Sequence, residues 1–285
     1  MKIICPACNT TRPNISKNGF FKRSSDSKKV QKYICKLCNK QFSTATFSDC
    51  CFQKKRRLNH HIRFDLCSST SLRRIALKYR ISRTTVKRKI EFLASRAEKN
   101  HKLWLENKSF KTVEFDDLET FEHTKCKPLS VSIALESKTR KLIGFRVSSI
   151  GAKGHLAKPA LKKYGRRENT SYRSRGKLFE ELQCCVDDKA VFKSDMHKHY
   201  PELVKRYFPK AEHRVYRSTR ARSSGLGELK KTSFDPIFSI NQVFAMFRDC
   251  LKRLTRQTWC TTKKAKYLEM QIMIYFDFHN TVLTE

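Results

Sequence analysis

The stretch 111–147, KTVEFDDLETFEHTKCKPLSVSIALESKTRKLIGFRV, decides the fold class. Residues 111–116 alternate apolar and polar side chains and read as a strand ending in acids, Asp116 and its neighbour Asp117. Residues 128–135 and 141–147 are two further β-rich runs, near enough in sequence to form a meander with the first. Downstream, 190–195 reads as a fourth strand that again ends in an acid, Asp195, and 213–216 as a fifth. Between them, 151–177 is rich in Lys, Arg, Gly and Ser and reads as a basic surface loop with one short helix. Residues 178–186 and 201–207 read as helices. The chain ends in two long helical patterns, 240–256 and 264–280. In the first, Ile240, Val243, Phe244, Phe247, Leu251 and Leu254 share one face. A linker is expected around 100–109.

Charge narrows the partner. The 285 residues carry 62 Lys+Arg against 26 Asp+Glu, a formal net charge of +36, with a pI near 10.0. Such an excess points to nucleic acid or an anionic membrane surface. Hydrophobic residues make up 39% of the chain and Phe alone contributes 20, enough for a packed core, which argues against global disorder. No apolar run approaches the ~20 residues of a membrane span. The start of the chain is too poor in apolar residues for a signal peptide. Twelve cysteines without an export signal indicate a reducing compartment, where spacing separates metal ligands from buried thiols.

Four of the twelve have that spacing. Cys5-Pro-Ala-Cys8 and Cys35-Lys-Leu-Cys38 are two CxxC knuckles, each supplying two thiolates from a tight turn. Together they predict one structural zinc ion in a small ribbon, because four thiolates leave no open coordination position. About 40 residues cannot stabilise themselves by burial alone, so the metal would supply much of the folding energy. Within the ribbon, Asn18-Gly19 reads as a turn and 32–35 as a short strand. Cys50, Cys51, Cys67, Cys126, Cys184, Cys185, Cys250 and Cys260 read as small core residues without chemistry.

From about 54 to 99 the period becomes helical. Leu58, Ile62 and Leu66 recur every four residues, and Leu72, Ile75, Ala76 and Tyr79 follow the rule for one helix face. Ser82 reads as the N-cap of a third helix with Val86, Ile90 and Leu93 on one side. Arg83, Thr84, Lys87 and Arg88 lie on the other side. Three short helices before a basic last helix match a helix-turn-helix, whose Arg and Lys reach phosphates or guanine edges while Thr meets a thymine methyl. A generic helical linker with a solvated basic face fits the same residues. If the DNA reading holds, residues 1–100 alone are expected to bind duplex DNA.

Three antiparallel strands, a helix, a parallel strand and flanking helices describe a ribonuclease-H-like α/β unit. In that layout the first and fourth strands are neighbours, so Asp116 and Asp195 come within reach of one metal pair. The expected architecture is therefore multidomain: a zinc ribbon over 1–49, a helix-turn-helix domain over 50–100 and a ribonuclease-H-like domain over 101–285.

Several segments carry a resemblance. Residues 241–263, NQVFAMFRDCLKRLTRQTWCTTK, resemble the third catalytic helix and basic extension of bacterial insertion-sequence transposases of the DDE superfamily. Residues 115–121, FDDLETF, resemble the strand bearing that family's first acid, and 193–200, KSDMHKHY, the segment bearing its second. The resemblance covers nearly the whole chain in the expected order. It implies a cytoplasmic, nucleoid-associated enzyme that binds its element's terminal inverted repeats and cuts the DNA backbone with water. The 3′-hydroxyl end is then joined to target DNA, with two Mg²⁺ or Mn²⁺ ions and a homodimer or larger synaptic assembly. Aligning residues 253–256 on the family's basic stretch puts Asn241 at the usual Glu position, giving an Asp116, Asp195, Asn241 set. Arg248 and Lys252 then share a polar helix face with Asn241 and can hold DNA phosphate.

Alternatives stay open at this stage. Asp117 rivals Asp116, since strand residues alternate faces. Asn241 also reads as a helix N-cap or surface residue, with Glu228, Asp235 and Asp249 as other acids. A catalytically inactive copy acting as a DNA-binding regulator fits the charge, ribbon and helices equally well, and an RNA-binding protein fits the charge.

Overall fold

A computed structural model describes residues 3–24, 27–217, 235–255 and 259–284. Glu228 lies outside the described residues. The chain divides into two compact units, Met1–His61 and Ile62–Glu285.

The first unit is a three-stranded antiparallel sheet, β1 (Ile15–Lys22), β2 (Lys29–Cys35) and β3 (Gln41–Ser43), with β2 in the centre. Its core is Cys5, Ile15, Tyr33, Cys35 and Phe42, with the Tyr33 and Phe42 rings stacked at 5.7 Å. Asn18-Gly19 is a bulge inside β1, not the expected turn. The register passes from Lys17 opposite Tyr33 to Phe20 opposite Gln31, one extra residue on β1. Gly19 takes φ +65° and its carbonyl accepts a bond from Gln31 Nε2 at 2.7 Å. A glycine at positive φ serves a bulge as readily as a hairpin turn, so the dipeptide alone does not discriminate. The hairpin closes later, where the Arg23 amide donates to the Lys28 carbonyl at 2.9 Å.

Three helices follow: α1 (Leu58–Leu66), α2 (Leu72–Lys78) and α3 (Arg83–Leu105). Ser71 and Ser82 cap the second and third, their hydroxyls accepting from the Arg74 and Thr85 amides at 3.3 and 3.0 Å. The turn between them spans 79–82, with Arg80 at φ +49°. Ile75, Ala76, Val86, Ile90 and Leu93 are buried, as their spacing predicts. The expected linker at 100–109 shrinks to a few residues, because α3 runs on to Leu105. The extension has partners on the chain's last helix: His101 meets Phe276 edge-on at 5.7 Å, and Asn100 Nδ2 donates to Asp277 at 3.2 Å.

The second sheet has five strands, β4 (Phe110–Phe121), β5 (Pro128–Glu136), β6 (Leu142–Ser149), β7 (Val186–Asp195) and β8 (Glu212–Tyr216), in the spatial order β6-β5-β4-β7-β8. The first three are antiparallel neighbours, whereas β7 runs parallel to β4 and β8 parallel to β7. Instead of ending at its acids, β4 runs through them, because its pairing with β5 continues to Phe121 opposite Pro128. The intervening helices are α4 (Ala157–Tyr164), α5 (Ser171–Leu182) and α6 (Tyr200–Tyr207). Much of the segment read as a basic loop is therefore helical. On one face, Val113, Phe115 and Phe192 pack with Leu178, Phe179 and Leu182 of α5 and Leu203 and Val204 of α6. Gly144 of β6 admits this contact: a Cβ there would meet Leu178 Cδ1 at 2.8 Å. The final helices, α7 (Phe238–Cys250) and α8 (Ala265–Phe278), are shorter than their sequence patterns. Leu251 and Leu254 are buried, but in the turn after α7.

Candidate functional site

Both cysteine knuckles have the same local build. The Cys5 amide donates to the Thr10 carbonyl at 2.8 Å and the Asn9 amide to Cys5 at 3.0 Å. At the second knuckle, Cys35 pairs with Lys40 at 3.0 Å and Asn39 with Cys35 at 2.8 Å. Asn9 and Asn39 follow the second cysteine of each pair and take left-handed φ of 55° and 57°, which asparagine tolerates. The four Sγ atoms lie within 4.8 Å of one another, with Cys5–Cys38 at 3.6 Å and Cys8–Cys35 at 3.5 Å. A tetrahedral zinc with bonds of about 2.3 Å requires sulfur separations of about 3.8 Å, so the donor set and its geometry fit a zinc ion. Burial pushes the Cys5 thiol up, but the amides of Ala7 and Cys8 outweigh it and bring the pKa down to about 6. Cys35 is lowered in the same way, its burial outweighed by the amides of Cys38 and Leu37. At Cys8 and Cys38 the amides of Thr10 and Lys40 are outweighed by burial and the neighbouring sulfurs, which pushes Cys8 up to about 12 and raises Cys38. Two of the four thiols thus favour the thiolate, and a bound metal would displace the protons of the other two. Among the described residues, this is the one group of three or more Cys, His, Asp or Glu placed to hold a metal ion. Of the other eight cysteines only Cys67 and Cys185 are buried, and Cys184 is exposed, so most are not core residues.

The second constellation arises from strand register. β4 and β7 pair with Val113 opposite Phe192 and Glu114 opposite Lys193. Asp116 and Asp195 lie two residues further along each strand. They are thus at one level on adjacent strands and, by the two-residue pleat, on one face. The Asp116 carboxyl is pushed up to about 7. Burial is the largest cause and the Asp195 and Asp117 charges add to it, against the Asp117 amide at 2.7 Å and the Tyr200 hydroxyl at 3.3 Å. The His197 amide donates to Asp195 at 3.1 Å. Two half-buried carboxyl groups on adjacent strands offer a site that a divalent cation would neutralise.

Asp117 is differently engaged. Its carboxylate accepts from Ser132 Oγ at 2.5 Å and faces Arg175 Nε at 3.5 Å. Arg175 is itself buried, bonded to Ser171 Oγ at 2.9 Å and stacked 5.6 Å from the Tyr200 ring centre. Asp117 already has its counter-charge, whereas Asp116 is bonded only to neutral donors among the described residues. Glu114, buried on the Asp116 face, accepts from the Ile240 amide at 3.0 Å and so ties α7 to β4. Tyr200, Ser132, Arg175 and Glu114 were not singled out from sequence. Only Tyr200 had a signal there, as the end of the 193–200 segment.

Asn241 is exposed on α7, and its Nδ2 donates to Asp235 at 2.8 Å. Asp235 also accepts from the Ile237 amide at 3.1 Å, and Asp249 is exposed. The expected polar face shared by Asn241, Arg248 and Lys252 does not form over its full length. The helix ends at Cys250, and Leu251 is extended, leaving Lys252 in the following turn.

Arg83, Thr84, Lys87 and Arg88 are exposed on the first turns of α3. Lys87 is held back, its ammonium 5.1 Å from the Tyr267 ring centre. Beside them a cavity of about 630 Å³ is lined by Arg73, Arg80 and Arg83 with Ala76, Leu77 and Ile81. Three guanidinium groups around one hollow suit an anion. Arg73 and Arg80 join this face only because the 79–82 turn folds α2 back beside α3. Among the described residues, no helix is long and apolar enough to cross a membrane. No model of a known protein family matches the chain, and no curated protein matches it.

Proposed function

We propose that the chain is a transposase of an insertion sequence, a metal-dependent DNA nuclease and strand transferase. The observation that carries the reading is the parallel register of β4 and β7, which sets Asp116 beside Asp195. The strand order, with a three-stranded meander and two parallel strands added beside its first strand, agrees with a ribonuclease-H-like domain. In this reading 1–49 is the zinc ribbon, 50–100 the helix-turn-helix and 101–285 the catalytic domain. Cys5, Cys8, Cys35 and Cys38 hold one structural zinc. Asp116 and Asp195 are ligands for catalytic Mg²⁺ or Mn²⁺, ions that activate water and neutralise phosphoryl oxygens when bound. Asp117 and Arg175 hold the strand and Tyr200 in place beside them. Arg83, Thr84, Lys87 and Arg88 contact element-end DNA, and Arg248 and Lys252 contact phosphate. The protein acts as a dimer or larger assembly on two DNA ends, on the bacterial nucleoid.

The test is cleavage of a labelled duplex carrying the element end, with Mg²⁺ or Mn²⁺. Asp116→Ala and Asp195→Ala are expected to abolish cleavage and leave DNA affinity nearly unchanged. Cleavage by both variants at the wild-type rate would overturn the reading. A second reading, a DNA-binding regulator without catalysis, is favoured by one observation: Asn241 is bonded to Asp235 at an exposed position. Loss of cleavage in Asn241→Ala, with activity kept in Asn241→Asp, would support Asn241 as third ligand. Wild-type protein that binds the duplex but never cuts it would support the regulator.

A further inference from the structure

β7 ends at Asp195, but its neighbour β4 continues past Asp116 to Phe121. Beyond the aspartates the sheet therefore becomes a three-stranded arm, in which Thr120 pairs with Leu129 and Leu129 with Ser149. At about 3.3 Å per residue, the six residues from Asp116 to Glu122 span about 20 Å. Two segments distant in sequence converge on Glu122 at the tip. Arg167 Nη2 donates to its Oε2 at 3.4 Å, and the Ala265 amide to its Oε1 at 3.1 Å. Thr262 adds a parallel bridge to the same residue.

The tip is basic and carries exposed rings. A hollow of about 560 Å³ is lined by Lys127, Tyr164, Arg166 and Arg167, with Glu122 and Glu168 also at its wall. Glu122 is paired with Arg167, which leaves Lys127 and Arg166 as its cations. Lys127 lies 4.4 Å and Lys163 5.6 Å from the centre of the Tyr164 ring. α4 buries only Ala160 and turns Lys158, Lys162 and Lys163 to solvent. Nothing in this helix serves the core beyond that one alanine. Trp259 is 100% exposed and three residues from Thr262, so within about 11 Å of the tip along the chain. A wholly exposed indole close along the chain to a lysine-rich surface offers a stacking face for base or sugar next to cations for phosphate.

We propose that the tip of this arm, with α4 and Trp259, is a second DNA-contacting surface that grips the duplex about 20 Å, or about six base pairs, from Asp116. This rests on the reading of the chain as a DNA-processing protein. It adds a contact distinct from α3 and from the aspartates, with sequence-independent affinity set by phosphate charge.

The experiment uses the full chain without divalent metal and a fluorescently labelled duplex at a series of salt concentrations. Lys162→Ala, Lys163→Ala and Arg166→Ala combined should flatten the slope of log affinity against log salt by about three, near 0.9 per lost phosphate contact. A control with Lys111→Ala, Lys189→Ala and Lys205→Ala removes the same charge from the opposite end of the sheet and should change the slope by less than one. In a Trp104→Phe chain, Trp259 is the sole tryptophan, and its fluorescence should be quenched as duplex saturates the protein. Equal slopes in the two triple variants, or binding without any change at Trp259, overturns the proposal while the DNA-processing reading stands. A wild-type chain that binds no duplex at low salt overturns both.

Discussion

Asp116 sits where its own charge is disfavoured. Its carboxyl sits at about 7 instead of 3.8, because burial and the Asp195 charge both oppose ionisation. A carboxyl whose pKa is raised on folding stabilises the fold while protonated, so this contribution is present below about pH 4 and is lost as pH rises through about 7. The full rise corresponds to about 4 kcal/mol. Metal-free Asp116→Asn is therefore expected to be more stable than wild type at pH 8, and nearly equal to it at pH 4, in urea unfolding followed by circular dichroism. Equal stability at both pH values would show that the carboxyl is not strained. Wild type should also gain stability from Mg²⁺ at pH 8, and the Asn variant should gain little. Tyr200→Phe removes only the hydroxyl that donates to Asp116 at 3.3 Å. It is expected to lower cleavage roughly tenfold with duplex affinity unchanged; an unchanged rate would reduce Tyr200 to a core ring. The sequence put an acid at the end of each of two strands, weak evidence by itself, and the resemblance singled out Asp116 and Asp195; the register sets them at one level. The sequence did not reveal Glu114, Ser132 or Arg175, which become partners only when other elements fold against β4.

Elements were legible where the signal is local. The two CxxC knuckles each complete their own turn, with asparagine next in the chain, so spacing alone located the cluster. Ser82 capped α3 as its position predicts, and the β-rich composition of 128–135 and 141–147 marked β5 and β6. What failed was set by partners. Asn18-Gly19 became a bulge because β2 continued past it, and α3 outran its pattern because α8 packs along it from Lys87 to His101. The ribbon's small core predicts dependence on metal. The full chain purified under reducing conditions is expected to carry one zinc, and Cys35→Ser with Cys38→Ser to carry none, by metal analysis. Loss of zinc should also expose the ribbon to protease, while the second unit, with its own sheet and core, stays intact. Zinc-free wild type with full protease resistance would contradict this.

At the scale of the whole molecule, the charge of +36 is carried by both units. α3 carries the exposed Arg83 and Arg88, yet the same helix packs along α8 in the unit that contains β4 and β7. Tyr267 of α8 donates to Glu91 at 3.2 Å and offers its ring to Lys87, while Phe276 receives His101. A fragment ending at residue 100 keeps the sequence read as DNA-binding but loses all of α8 and the last turn of α3. Burying each large aliphatic side chain contributes about 1.5–3 kcal/mol, and most helical stability in proteins comes from packing an apolar face rather than from propensity. The expectation that 1–100 binds DNA by itself therefore changes. The fragment should retain zinc but show less helix by circular dichroism than its share of the full chain. Its duplex affinity should fall at least tenfold below that of the full chain at equal salt. Restoring α8 should restore both, since the arginines need a fixed helix to meet phosphates in register. Full-chain affinity and helicity in the fragment would show that α3 stands alone and that its packing against α8 has no part in recognition.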